Sequence, residues 1–320
     1  MSSGPPHVEA QRKPRRQEAK PVHRGLKRKH QEWLAACLFI APDALGLFVF
    51  LVIPMVLALG LGFFDVSGFG GFAFVGLANY KTMFSDPLFL KSLRVTVIYV
   101  GVLVPSIFVV SLVLALLVKQ KLPFMGVFRS MFFLPHVVSL VVIGFVWQFM
   151  LIDGRGVVNQ VLGAVGIGGR SWLGTPSLAL GTVLMVSIWF LMGYYMLIFL
   201  AGLQEIPQEY YDAAKVDGAG SWTRFWYITW PLLKPTSFFV LLVSTVIAVA
   251  GLQGFDLIYV MTKGGPANST SLGIYYIYNQ AFQYNNYGYA AAMASFLILV
   301  LLVATAVMFV LTRGGRFEDV

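Results

Sequence analysis

Asp212, Ala213, Ala214 and Gly218 have the most informative spacing in this chain, and the chemistry they suit is recognition, not bond-making. They lie in PQEYYDAAKVDGAGSWTRFWYITWPLLKP, residues 207–235, a polar stretch between two strongly apolar ones. The carboxylate offers charge to a partner, and the adjacent alanines leave a low surface that another protein can approach closely. Pro207 suits a first helical position, because it has no N–H to leave unsatisfied there. Glu209 puts negative charge in the positive first turn. Gly218 can take the left-handed conformation that ends a helix. Ser221 is then placed to cap a second short helix, which is expected to stop before Pro231. A capped helix–turn–helix on which something docks is the expectation.

Two acidic residues, Asp43 and Asp256, fall inside apolar runs. Pro42-Asp43 reads as a helix restart, with the carboxylate in its first turn. Gln253 and Asp256 are three apart and share one helical face. They either line a polar path or bond between helices. Phe255, Tyr259, Tyr275 and Tyr276 lie near them. Flat aromatic faces beside amide and carboxylate groups suit sugars, although Trp and Tyr also gather at membrane interfaces in any polytopic chain.

Catalytic and metal chemistry is poorly provided for. No G-x4-G-K-[ST] phosphate loop occurs, so nucleotide binding of that kind is excluded. Three of the four histidines lie in the first 32 residues, which leaves His136, beside Pro135, as a packed helix-break residue. The single cysteine, Cys37, forbids an internal disulfide and a cysteine-based cluster. Leu34-Ala35-Ala36-Cys37 looks like a lipoprotein cleavage box, but its apolar run follows the box where a signal peptide would precede it, so the amino terminus is expected to stay uncleaved. A membrane-embedded enzyme should show convergent His, Asp or Glu, and Asp43 with Asp256 are thin support. No catalytic residue and no metal ligand is expected.

The elements that must position these residues belong in lipid. Apolar residues make up 58% of 320 and charged ones 12%, with mean hydropathy +0.76; soluble domains carry about 25% charged residues. Six segments reach the roughly 20 apolar residues of a spanning helix: 33–64, 93–118, 127–151, 178–203, 236–261 and 289–311. Runs this long exclude barrel strands. The first exceeds one straight span, and Pro42 and Pro54 suggest breaks in it. One membrane domain, 33–312, is expected between a basic, disordered tail (1–32) and a short tail (313–320).

Net charge is +9, and its distribution sets an orientation. Nine of the 23 Lys and Arg lie in residues 1–32. With that end inside, 17 basic residues face the cytoplasm and 6 face outward, which follows the positive-inside rule. Both termini and the 207–235 loop are then cytoplasmic.

Asp212-Ala213-Ala214, Gly218, Ile228 and Pro231 also reproduce the spacing E-A-A-x3-G-x9-I-x-L-P. This resembles the coupling loop of permease subunits in binding-protein-dependent ABC importers, with Asp212 for the usual Glu and Trp230 for the usual Leu. Further stretches resemble the maltose-type carbohydrate permeases: Phe74 to Tyr80 with Asp86-Pro87-Leu88-Phe89; Thr96; Phe128-Arg129 and Phe132-Phe133-Leu134-Pro135; Gly193-Tyr194 and Leu200-Ala201-Gly202-Leu203; Thr262 to Pro266; and Gly288-Tyr289-Ala290. The resemblance covers roughly 33–312 and implies an all-α polytopic protein with six core spans in the type I importer permease fold.

It further implies a sugar importer of the bacterial inner membrane, with a sugar phosphate such as glycerol 3-phosphate, or another small polar solute, as the alternative. Asp212, Ala213, Ala214, Gly218, Ile228 and Pro231, in a coupling loop spanning 204–235, would receive the ATPase. Gln253, Phe255, Asp256 and Tyr259 would line the substrate path. No cofactor is expected in this chain, because ATP and Mg would sit on the partner ATPase. A second permease and an extracytoplasmic sugar-binding protein would complete the assembly, and no nucleic acid is involved.

Overall fold

The computed structural model describes residues 26–68, 70–120 and 123–311. The chain divides into two compact units, 1–56 and 57–320. Of the expected tails, 1–25 and 313–320 lie outside the described residues, whereas 26–32, expected to be disordered, form the start of helix α1. Helix α1 (Leu26–Leu47) of the first unit runs into a π-helical turn, Phe48–Val52, and α2 (Ile53–Leu61) follows, its residues from Leu57 on belonging to the second unit. The restart expected at Pro42-Asp43 does not occur, since Pro42 lies inside α1. The irregularity comes instead just before Pro54. Proline lacks an N–H and its ring crowds the carbonyl four residues back, here that of Phe50, and a widened turn accommodates both.

After α2 comes a small antiparallel hairpin, β1 (Phe64–Val66) on β2 (Phe72–Phe74), with Phe64 opposite Phe74. Helices then follow: α3 (Ala78–Ser85), α4 (Pro87–Val118), α5 (Met125–Val137), α6 (Leu140–Met150), α7 (Val157–Ala164) and α8 (Pro176–Glu205). Next come α9 (Gln208–Val216), α10 (Ser221–Arg224), a π-helical turn (Phe225–Thr229) and α11 (Trp230–Leu232). The chain ends with α12 (Lys234–Ala250), α13 (Leu252–Met261), α14 (Gly273–Tyr278), a π-helical turn (Asn279–Gln283) and α15 (Tyr287–Leu311).

Among the described residues, four helices are long and apolar enough to cross a membrane: Glu32–Leu61, Pro87–Val118, Pro176–Glu205 and Tyr287–Val310. Two further spans arise if each bent pair counts as one, α5 with α6 at 96° and Ser221–Leu232 with α12 at 65°. The expected third span is thus a broken helix. Val138 turns extended (φ −82°, ψ 146°) directly after Pro135-His136-Val137. The expected fifth span is also interrupted, at Gly251 (φ +70°). A Cβ there would lie 2.4 Å from the Ile274 side chain, so backbone and space both demand glycine.

The core forms where α4 packs along α8. Tyr99, Ile107, Tyr195 and Phe199 are buried there. Several polar groups in this apolar setting are paired, as lipid favours, although the Tyr195 hydroxyl is buried with no hydrogen-bond partner among the described residues. Tyr99 and Ser187 hydroxyls meet at 2.9 Å, and Ser111 Oγ donates to the Met192 carbonyl at 3.0 Å. Glycine permits the closest approaches. A Cβ on Gly193 would fall 1.9 Å from the Phe132 carbonyl oxygen, and one on Gly202 2.2 Å from Thr236 Oγ1. His136 packs at the end of α5 as expected, stacked on Tyr194 at 4.8 Å and 26°.

Candidate functional site

The 207–235 stretch folds as a helix–turn–helix. Pro207 takes the N-cap position, one residue earlier than expected, and Glu209 occupies the first turn of α9. Gly218 has φ +78°. The turn closes with Gly218 N–H on the Lys215 carbonyl at 3.0 Å and Ala219 N–H on the Ala214 carbonyl at 2.8 Å, the double bond of a glycine-ended helix. Two details differ from expectation. Gly220, not Ser221, precedes the second helix, and Ser221 Oγ accepts from Arg224 Nη2 at 3.1 Å. Nor does the helix stop before Pro231. It passes through the π-helical turn and ends at Leu232, and the widened turn just before Pro231 accommodates its ring and missing N–H, as at Pro54.

The six motif residues split into two groups. Asp212 and Ala213 are exposed on α9, and Ala214 is half-buried beside them. Asp212 Oδ1 accepts from Lys215 Nζ at 2.8 Å and Gln208 Nε2 at 3.3 Å, and these bonds hold its carboxyl below the ordinary value. Ile228 and Pro231 lie half-buried on the opposite arm, with Ile228 packed against the main core. Trp230 meets Phe108 of α4 edge-on at 6.2 Å, so the larger ring fills space against the membrane helices. One arm of the motif presents a surface, and the other anchors it.

The residues considered for a polar path gather on α13. Gln253 and Asp256 are half-buried, and Gln253 Oε1 is a buried acceptor with no hydrogen-bond partner among the described residues. Phe255 stacks on Tyr259 at 5.7 Å and 25°. Tyr278 meets both, at 5.0 and 5.8 Å, and Phe282 joins Tyr278 at 5.1 Å. Tyr275 reaches Phe255 at 6.1 Å. Tyr276, its neighbour, points elsewhere, since successive helical residues are about 100° apart. Its hydroxyl donates to Asp86 Oδ2 at 2.7 Å.

The loop at the Asp86 end of α4 is equally built. Asn79 Nδ2 donates to the carbonyls of Gly62 and Phe64 at 3.0 and 2.9 Å, locking β1 to α3. A Cβ on Gly288 would lie 2.0 Å from the Phe64 oxygen, which accounts for glycine at the start of α15.

Residues 89–316 match the family described as binding-protein-dependent transport system inner membrane component. The chain belongs to that family. The lactose transport system permease LacF of Rhizobium radiobacter is 38% identical over 286 residues, covering 87% of this chain and 94% of that one. A probable ABC transporter permease, PH1215 of Pyrococcus horikoshii, is 36% identical over 270 residues, covering 83% and 91%. In fold, the chain is similar to one in the crystal structure of a bacterial alginate ABC transporter in complex with an alginate pentasaccharide-bound periplasmic protein. That match has TM-score 0.79 at 24% identity over 90% of this chain and 96% of that one.

This permease is therefore a multi-pass, all-α transport protein of type I permease fold, not an enzyme. Three residues matter more in it than sequence reasoning foresaw. Tyr211 bridges the site: its hydroxyl meets Thr229 Oγ1 at 3.0 Å and accepts from Lys119 Nζ at 3.3 Å. Asp86 gathers two tyrosines and a helix start, and Tyr278 centres the aromatic group. Helical spacing from Tyr275 to Tyr278 and Phe282 was the available signal for the last. Asp86 before Pro87 carries the signature of a helix start, but nothing local marks its tyrosine partners or Tyr211 as a junction.

Proposed function

We propose that this permease forms one membrane half of an ABC importer and carries a sugar into the cytoplasm. An ATPase subunit docks on Asp212, Ala213 and Ala214, held out by the Gly218 turn. The observation that carries this reading is the division of labour in the 207–235 stretch. One arm is exposed and charged, the other packs into the membrane helices. A push on α9 is thereby transmitted through Tyr211, Ile228 and Trp230 to α4 and α12. ATP and Mg bind to that separate ATPase, a second permease completes the pore, and a binding protein delivers the sugar from outside. Six spans, with both termini and the docking loop in the cytoplasm, fit this assembly, as does a single membrane domain over 33–312.

Sugar is supported by the aromatic group around Tyr278, by the unpartnered Gln253 oxygen elsewhere on α13, and by the lactose permease among the relatives. Aromatic faces hold the apolar face of a sugar ring, and amide and carboxylate groups take its hydroxyls. A phosphate-bearing substrate is the second reading, because the docking motif admits it equally. A cation favours such a substrate, but the charged residue of α13 is Asp256. The test is uptake by the reconstituted transporter of a panel of labelled neutral sugars and glycerol 3-phosphate, with and without ATP inside. ATP-dependent uptake of a neutral sugar supports the reading, and uptake of glycerol 3-phosphate alone overturns the sugar part.

A further inference from the structure

A cavity of about 700 Å³ opens between the Lys119 end of α4 and the turn that carries α10. Leu112, Val113 and Leu116 of α4 line it with apolar surface, and Lys119, Arg224 and Trp222 also border it. No carboxylate is among its lining residues. The Lys119 ammonium is held in place, 4.5 Å from the centre of the Tyr211 ring. Arg224 donates to Ser221 Oγ, while its Nε is buried with no hydrogen-bond partner among the described residues. Arg129 adds a third cation at this end of α4, donating to the Val118 carbonyl at 2.7 Å. Trp222 is 73% exposed and stacks on Phe225, and Tyr227 is 80% exposed.

An apolar slot with a cationic rim and exposed aromatics matches one ligand chemistry, an amphiphile with an anionic head. Aromatic rings and basic pockets of this kind belong at the headgroup level of a cytoplasmic leaflet. We infer that the cavity binds an anionic phospholipid, with its phosphate between Lys119 and Arg224 and one acyl chain along Leu112, Val113 and Leu116. Arginine suits phosphate through its planar fork, and lysine adds a compact charge. Free phosphate would leave the apolar wall wet, whereas a lipid chain covers it. Lys119 and Arg224 also touch the docking element, one through Tyr211 and the other on α10. Lipid occupancy therefore stiffens the arm that receives the ATPase and makes transport depend on the headgroups present. The inference rests on the reading that the 207–235 loop is cytoplasmic.

The test uses the whole transporter with its ATPase, in nanodiscs of phosphatidylcholine alone or mixed with phosphatidylglycerol. Retained lipid is read by native mass spectrometry and coupling by ATPase rate. The wild type should retain phosphatidylglycerol selectively and be stimulated by it. Lys119→Gln with Arg224→Gln should lose retention roughly 30-fold, about fivefold per cation. Leu116→Trp, which fills the slot and keeps both cations, should lose it as well. Equal retention by all three proteins overturns the inference. So does stimulation by inorganic phosphate in pure phosphatidylcholine, which identifies a soluble ligand. Loss of the ATPase subunit from the double variant, with phosphatidylglycerol still retained, also overturns it and assigns the cavity to a protein interface. A cytoplasmic reporter fused after Leu233 separates the two readings. If it is active and no phosphatidylglycerol is retained, the lipid site alone fails; if it is inactive, both fail.

Discussion

Asp86 and Tyr289, 203 residues apart, meet at 2.8 Å, with the tyrosine hydroxyl donating to the carboxylate. The same oxygen accepts from Tyr276, while the other takes the backbone N–H of Leu88 and Phe89 at the start of α4. One side chain thus joins the beginnings of α4 and α15 to α14. Burial works against the charge here, but these hydrogen bonds outweigh it and leave the carboxyl below its ordinary value. Tyr276 is correspondingly pushed up to about 12 by burial and by the carboxylate beside it.

The first prediction follows from that staple. A carboxyl with a lowered folded value contributes stability that is fully present above its unfolded value and lost as pH falls through the folded one. The Asp86 end should therefore hold at neutral and mildly acidic pH and loosen only in stronger acid. Asp86→Ala removes a helix cap and a charged acceptor, and should cost about 2–4 kcal/mol, with Asp86→Asn costing less. Thermal unfolding of the purified permease and hydrogen exchange of α14 across pH check both. Loosening near neutral pH would contradict the assignment.

Gly218 concerns backbone conformation alone. Its φ is +78° and a Cβ would meet nothing within 4 Å, so a substitution suffers strain without collision. Gly218→Val should strain the turn by about 1–2 kcal/mol and reduce transport and ATPase co-purification, while Gly218→Asn should be tolerated better. Equal behaviour of the two variants would remove the turn geometry from coupling.

Asp212 separates docking from folding. Its ion pair with Lys215 is solvent-exposed, and such pairs add little to stability. Asp212→Lys should leave thermal stability unchanged yet reduce ATPase association and uptake. External sugar binding by the separate binding protein should persist. A variant that assembles and transports normally would sink the docking role.

Gln253 tests the substrate path. If its unpartnered oxygen touches sugar, Gln253→Ala should shift the concentration dependence or selectivity of uptake in an assembled complex. A hydrogen bond in a membrane protein averages about 0.6 kcal/mol, so selectivity, not stability, is the deciding measurement. An unchanged profile across several sugars, with weakened assembly, would return Gln253 to helix packing.

Orientation has its own check. Reporters that work only in the cytoplasm should be active when fused after Leu233 and inactive after Phe74 or Asn268, given the basic-residue asymmetry. Activity at Asn268 would overturn the span assignment.

Much of this was legible in the residues. Hydrophobic runs and a low charge density mark a helical membrane protein, because lipid tolerates few other structures. The Gly218 turn follows from one residue type at one spacing, since glycine alone enters the left-handed region without strain. Helix breaks were harder to read. Pro42 suggested one that is absent, Pro135-His136 marked the one that comes at Val138, and Gly251 supplies one that its apolar run concealed. Backbone geometry at such points depends on what packs beside it, Ile274 against Gly251 for example.

Tertiary structure decided the rest, for the same reason. The outward face of Asp212 and Ala213 was expected, but that Ile228 and Trp230 anchor the other arm could not be read from spacing, which fixes phase along a helix but not which side meets another. Tyr275 and Tyr276 are adjacent in sequence, yet one joins the aromatic group and the other binds Asp86. Tyr211 became a junction only because Lys119, 92 positions away, ends its helix there. Local propensity acts over a few residues, whereas these contacts exist only once distant helices have met.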